Sequence, residues 1–193
     1  MTRIGERIRT ARLKQRLSLR KLAERVGLTP SLISQIERGQ TNPSVASLYA
    51  IAQALGLSMD YFFNPRVDAD LTTGGQVVKA IGELVPVVRK CDRACINIAG
   101  GVQWSRLTPE HDNRVEFIEI RYDVGASSGD VAYRHRGREY GIVMEGTLEI
   151  ELGENKYTLG PGDSICFTSD VPHRLVNTGD TPAIGIWVIL DRY

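Results

Sequence analysis

The spacing of apolar residues changes partway along the chain, and this change calls for two domains built on different principles. From Arg3 to Phe63 apolar side chains recur every three or four positions. Ile4, Ile8 and Ala11 form one stripe, Leu19, Leu22, Ala23 and Val26 a second, and Val45, Leu48, Ala52 and Leu55 a third, as in helices that bury one face. Further on, the apolar residues fall in short runs such as VEFIEIRY, GIVMEG, TLEIEL and SICFTS, separated by Gly, Pro, Asp and Asn. That pattern belongs to a β-sandwich or barrel. Between the two, NPRVDADLTTGG has no period and is rich in turn and charged residues, which places a linker at 64–76. The expected fold is therefore α + β in two domains, a helical bundle over 1–63 and a β-barrel over 77–193.

Local signals divide the first domain into about five short helices. Ser18 is suited to cap a second helix and Gly27 to end it. Thr29 is suited to cap a third, with Pro30 at its first position and Gly39 as its stop. Charge is divided along the same line. Residues 1–64 hold ten Lys/Arg against four Asp/Glu, a net +6, whereas 65–193 hold fourteen against nineteen, a net −5. A basic first third suits a polyanion-binding module, because each phosphate neutralised by Lys or Arg releases a counterion.

In SLRKLAERVGLTPSLISQIERGQTNPS, residues 18–44, two helices of about eight residues are joined by GLT, the layout of a helix-turn-helix. This stretch resembles the Cro/cI-type (XRE-type) helix-turn-helix family from Ala23 through SLISQIERG to NPS. The resemblance covers essentially residues 3–63. Thr29 and Pro30 then open a recognition helix whose free N–H groups face a phosphate. Ile33 and Ile36 point into the bundle, leaving Ser31, Ser34, Gln35 and Arg38 outside. Ser31 and Gln35 match the family's base-contacting positions, and Gln35 has the donor and acceptor to read adenine. Arg20 and Arg38 suit phosphate contacts. The resemblance also implies a structural ion pair between Arg12 and Glu37.

In the second domain, YRHRGREYGIVMEG places His135 and Glu139 four residues apart. On a continuous strand they would be separated by about 13 Å, at about 3.3 Å per residue, so their convergence requires a hairpin at Gly137. GPGDSICFTSDVPHRLVN adds His173 at the start of a later strand. Together these segments resemble the two cupin motifs, carried here by Tyr133, His135, Glu139 and Gly146, then by Pro161, Gly162, His173 and Asn177. The resemblance runs from about residue 86 onward and implies a cupin (jelly-roll-like) barrel. Tyr133 stands where the motif has its first histidine. The remaining His135, Glu139 and His173 make a two-histidine, one-carboxylate set suited to a divalent metal such as Fe, Zn, Ni or Mn. The alternative is a hydrogen-bonded polar cluster that binds an organic effector directly or satisfies itself. Trp104, Arg121, Tyr133, Tyr140, Arg174 and Trp187 are the expected lining of an effector pocket.

The combination looks like the XRE-cupin regulators. It implies a transcriptional regulator that binds a near-palindromic double-stranded DNA operator as a homodimer and responds to a small-molecule effector, with no catalytic residues. A rival reading is a mononuclear non-haem iron enzyme resembling hydroxypropylphosphonate epoxidase, to whose ligand segment HRGRE is similar. SLISQIERG and the basic first domain favour the regulator. Cys91, Cys95 and Cys166 have no CxxC spacing and suggest neither a disulfide framework nor a zinc ribbon. The N-terminus lacks an apolar secretion core and no run approaches the length of a membrane span, so a cytoplasmic location with no membrane partner is expected.

Overall fold

Ser18, Thr29 and Ser44 each accept a hydrogen bond from the backbone N–H three residues on, and these caps set the starts of three of the four α-helices. The helices are α1 (Ile4–Lys14), α2 (Leu19–Val26), α3 (Pro30–Glu37) and α4 (Val45–Leu55). Gly27 and Gly56 end α2 and α4 in the left-handed conformation, and Gly39, also left-handed, follows Arg38, which caps α3. The computed structural model describes residues 4–63, 86–110, 112 and 114–190; the expected linker at 64–76 and the expected domain start at 77–85 lie outside the described residues.

The expectation of five helices needs correcting. The fifth segment, Met59–Phe62, is a single 3-10 turn whose Ser58 makes no side-chain cap, and four residues are enough only for i→i+3 bonding. Ile8, Leu22, Ile33, Leu48 and Ile51 have no solvent exposure and form the centre of the bundle. Gly5 brings α1 against α3, since a Cβ there would collide with the carbonyl of Ile36.

Among the described residues the second domain has nine antiparallel strands: β1 (Cys95–Ile98), β2 (Val102–Arg106), β3 (Val115–Tyr122), β4 (Arg138–Glu145), β5 (Leu148–Leu152), β6 (Asn155–Leu159), β7 (Ser164–Thr168), β8 (His173–Asn177) and β9 (Ala183–Leu190). They form a six-stranded sheet in the order β1-β2-β3-β9-β4-β7 and a three-stranded sheet in the order β6-β5-β8. Alternation along each strand sends Ile118, Ile120 and Tyr122 of β3, Val143 of β4, Trp187 and Ile189 of β9 and Leu175 of β8 into the space between the sheets. Asn177 secures the far end of β8. Its amide donates to the carbonyls of Tyr122, Asp123 and Thr181, and its oxygen accepts from Gly179 N–H.

The two domains share a seam made by α4. Ala99 N–H donates to the Pro43 carbonyl and Ala46 N–H to the Ser128 carbonyl, 2.9 and 3.1 Å long. Farther along, Arg106 grips both oxygens of Asp60 at 3.0 and 3.2 Å.

Candidate functional site

In α3, Ile33 and Ile36 are buried, so Ser31 and Gln35 face outward and Ser34 is partly exposed. The helix rests on a buried ion pair. Arg12 Nε and Nη2 donate to the two oxygens of Glu37 at 2.6 and 2.8 Å, and Arg12 Nη1 donates to the Leu17 carbonyl. Thr29 caps the helix by accepting from Leu32 N–H. Arg38, exposed at its end, donates to Ser34 Oγ and to Gln40 Oε1. Arg20 is exposed at the start of α2.

At the mouth of the barrel three side chains converge. His135 Nε2 lies 2.9 Å and His173 Nε2 3.2 Å from Glu139 Oε1, and one ligand atom from each residue falls within 4.8 Å of the others. The expected hairpin is not how this happens. Tyr133 pairs with His173 and Glu139 with Phe167 in the same antiparallel register. Between these pairs, His135 N–H donates to the Ser169 carbonyl while Ser169 N–H donates to that of Gly137. Ser169 therefore bonds both His135 and Gly137 without any net shift of register, and Gly137 takes φ 118°. The resulting kink brings His135 back over Glu139.

The hydrogen bonds of the rings assign their tautomers. His135 Nδ1 lies 2.9 Å from the Arg136 carbonyl and His173 Nδ1 2.9 Å from that of Val171. A carbonyl only accepts, so each Nδ1 carries a proton and the neutral ring presents a bare lone pair at Nε2. Glu139 Oε2 accepts from Trp187 Nε1 at 2.8 Å. Both Nε2 atoms and Glu139 Oε1 are buried close together, yet none has a partner in hydrogen-bonding geometry. Two lone pairs and a carboxylate oxygen facing one point suit a cation, and the backbone bonds at Nδ1 are the usual outer support of metal-bound imidazoles. Burial pushes the Glu139 carboxyl up; when no cation is held, hydrogen bonds and charge from His135 and His173 with a proton on Nε2 outweigh it and hold the group below the ordinary carboxylate range.

Tyr133 provides a ring rather than a ligand. Burial, with Glu139 adding to it, pushes its phenol well above the ordinary value, and its ring packs 4.4 Å from that of His173. Trp104, Tyr133 and Trp187 line the inner space. Arg121, Tyr140 and Arg174 do not, and strand parity explains all three. Each neighbours an inward residue (Ile120, Glu139 and His173 respectively) and so points outward. Arg121 pairs with Asp123, Arg138 lies over the ring of Tyr140, and Arg174 bonds the Gly129 carbonyl and Glu151. Two further aromatic residues line the inner space, Tyr122 and Tyr49. Tyr122 is found by extending the Ile118, Ile120 alternation; Tyr49 has no signal in its own domain.

A helix-turn-helix bundle joined to a β-barrel whose mouth gathers two histidines and a carboxylate has the layout of a DNA-binding module attached to a cupin. Comparison with known proteins agrees: residues 8–62 match the family described as Helix-turn-helix and residues 118–189 the Cupin domain. The HTH-type transcriptional regulator PuuR of Escherichia coli is 30% identical over 175 residues, covering 90% of this chain and 87% of the relative. SutR, another HTH-type transcriptional regulator of that organism, is 26% identical over 164 residues, covering 84% and 80%. The crystal structure of an HTH_3 family transcriptional regulator from Vibrio cholerae aligns with TM-score 0.68 and 23% identity, over 100% of this chain and 97% of the other. The chain belongs to the HTH-type transcriptional regulators of the XRE type that carry a cupin domain. It is a DNA-binding regulator. No helix among the described residues is long and apolar enough to cross a membrane.

Proposed function

We propose that the protein binds a near-palindromic operator as a homodimer and adjusts that binding to a small molecule sensed at the cupin mouth, where His135, Glu139 and His173 hold a divalent metal. The observation that carries the sensing site is the convergence of three buried, unbonded donor atoms on one point. When bound, the metal supplies a positive charge and open coordination positions to an effector. The chain's own residues do the rest. The Arg136 and Val171 carbonyls fix the two imidazoles, and Trp187 orients the carboxylate.

On DNA, α3 enters the major groove. Gln35 and Ser31 read bases, Arg20 and Arg38 grip phosphates, Ser34 lies between these roles, and the N-terminus of α3 at Thr29 and Pro30 meets the backbone. The Arg12–Glu37 pair holds α3 at its angle. The domains are assigned as 1–63 and 77–193.

For the homodimer, support comes from the outer face of β3, β9 and β4. Phe117, Tyr140, Ile142 and Met144 are exposed there, and Phe117 and Tyr140 both flank Val188 while Ile142 neighbours Ile186. Such a patch is best covered by a second copy. Pairing through the barrels sets two α3 helices about one DNA turn, roughly 34 Å, apart. The enzyme reading is the weaker one, since the relatives matching both domains are regulators.

Genome-wide recovery of bound DNA tests the proposal as a whole. Enriched sites with inverted half-sites about ten base pairs apart are expected; an absence of preferred sites at moderate ionic strength overturns it.

A further inference from the structure

Tyr49 belongs to the helical domain, yet its ring closes the barrel. It stacks on His135 at 4.2 Å between centroids with 3° between planes, lies 5.4 Å from Tyr133, and meets Trp104 edge-on at 6.1 Å. Its hydroxyl reaches Glu116 at 3.4 Å. The residue as a whole keeps some exposure, but the hydroxyl end is enclosed enough for burial, reinforced by Glu116, to push the phenol well above its ordinary value.

The Tyr49 ring separates two spaces of very different size. Behind it, among Trp104, Tyr122, Tyr133 and Trp187, only about 10 Å³ is open. In front, between α4 and the barrel, lies a cavity of about 490 Å³ that reaches Tyr49, Gln53, Arg134, His135, Arg136 and Ile189. Sites for small organic molecules run to about 300–1,000 Å³, so the outer cavity has room for one and the inner has not. Of the outer cavity's acidic residues, Asp60 is paired with Arg106 and Asp112 with Arg114, while Glu116 accepts from the Tyr49 hydroxyl, which does not cancel its charge. Arg134 and Arg136 are exposed there, and their guanidinium groups have no hydrogen bond or ion pair among the described residues. With those two pairs set aside, Arg134 and Arg136 outnumber Glu116, so the surplus formal charge of the cavity is positive by one, and its inner wall is a stacked pair of flat rings.

We propose that this seam cavity binds a small planar organic anion that competes with Tyr49 for the face of His135, so that its occupancy loosens the helical domain from the barrel. The inference rests on the effector-sensing reading above and names the ligand class, the place and the coupling residue. Tyr49 lies on the same helix as Leu48, Ile51, Ala52 and Leu55, which are part of the bundle core. Moving the ring out shifts α4 and with it the frame that carries α3. Ala46 N–H and Ala99 N–H, which bridge the two domains, report that shift directly.

The test uses the full-length protein with benzoate as probe. Binding is followed by tryptophan fluorescence and amide hydrogen exchange is read at Ala46 and Ala99. Saturable binding with faster exchange at both amides is expected. Arg134→Ala with Arg136→Ala should weaken it about tenfold, the scale of one charge-assisted contact. Tyr49→Ala should tighten it about tenfold, because a state the plug held closed becomes fully competent. Tyr49→Leu, which keeps apolar bulk, guards against misfolding of the smaller variant and should also tighten binding. Cyclohexanecarboxylate, with the same charge on a puckered ring, should bind more weakly.

No saturation by about 10 mM benzoate, far weaker than a useful millimolar affinity, overturns the proposal. So does equal or weaker binding in both Tyr49 variants, or binding that leaves the two amides as protected as before. Each titration is run on metal-loaded and chelated protein. Loss of the metal reading alone then leaves the seam result standing, and DNA binding is not a readout.

Discussion

Arg12 and Glu37 form a two-point ion pair beneath the recognition helix, with only 8% and 5% of their side chains exposed. The Arg12 guanidinium is held above its ordinary range by this hydrogen bond. Arg12→Met should cost about 3–5 kcal/mol, because it strands a buried carboxylate, while Arg12→Met with Glu37→Leu should recover most of the loss. Urea unfolding followed by helical circular dichroism measures both. Equal loss in the single and double variants would show that packing, not charge, fixes α3.

On operator DNA, Gln35→Ala should cost about 1–3 kcal/mol at one or two base positions. Arg38→Ala should weaken all sequences evenly and lower the salt slope by about one. Fluorescence anisotropy over a salt series separates them, and identical behaviour would reverse the assigned roles.

Elemental analysis of untagged protein should find one divalent metal per chain, lost in His173→Ala and in Glu139→Gln. Chelation should lower the melting temperature, since metal held at 100 times its Kd contributes about 2.7 kcal/mol. No metal in the unaltered protein would leave the triad as a polar cluster.

Ile142→Lys should convert the dimer to a monomer in sedimentation velocity without altering the β-sheet signal, because the side chain points away from the interior. A dimer that survives places the interface elsewhere.

Alkaline pH should unfold the protein through its tyrosines. Burial pushes Tyr122, Tyr133 and Tyr49 above the ordinary phenol value. Below about pH 10 they are neutral whether folded or not, and the stability is fully present. Above that the unfolded chain loses protons that the folded one retains. Stability then falls as pH rises toward the folded values, by about 1.4 kcal/mol per pH unit for Tyr122 alone. Tyrosinate absorbance should therefore rise together with loss of structure; smooth ionisation in a folded protein would contradict this burial.

Much of this was legible from residue spacing. Ser18, Thr29, Gly27 and Gly39 mark the helix ends by their own chemistry, and the i+3 and i+4 spacing of Ile33 and Ile36 against Ser31 and Gln35 separates core from exposed face. The cupin segments identify His135, Glu139 and His173, although the kink at Gly137 depends on Ser169, over thirty residues away. Arg121, Tyr140 and Arg174 were misplaced because residue type was weighed above parity: with Glu139 and His173 facing in, Tyr140 and Arg174 face out. Tyr49 was beyond reach, since its partners belong to the other domain and nothing along the chain encodes how α4 lies on the barrel.

Gly141 and Trp187 sit directly opposite each other on β4 and β9, and a Cβ at 141 would come within 2.3–2.5 Å of three atoms of the six-membered ring of Trp187, a clash. The bare backbone at one position is thus the berth for the bicyclic ring at the other, whose N–H steadies the site's carboxylate. During divergence these two positions are bound to change together: a lineage that gains bulk at the first must surrender the indole at the second, and with it the tether on Glu139.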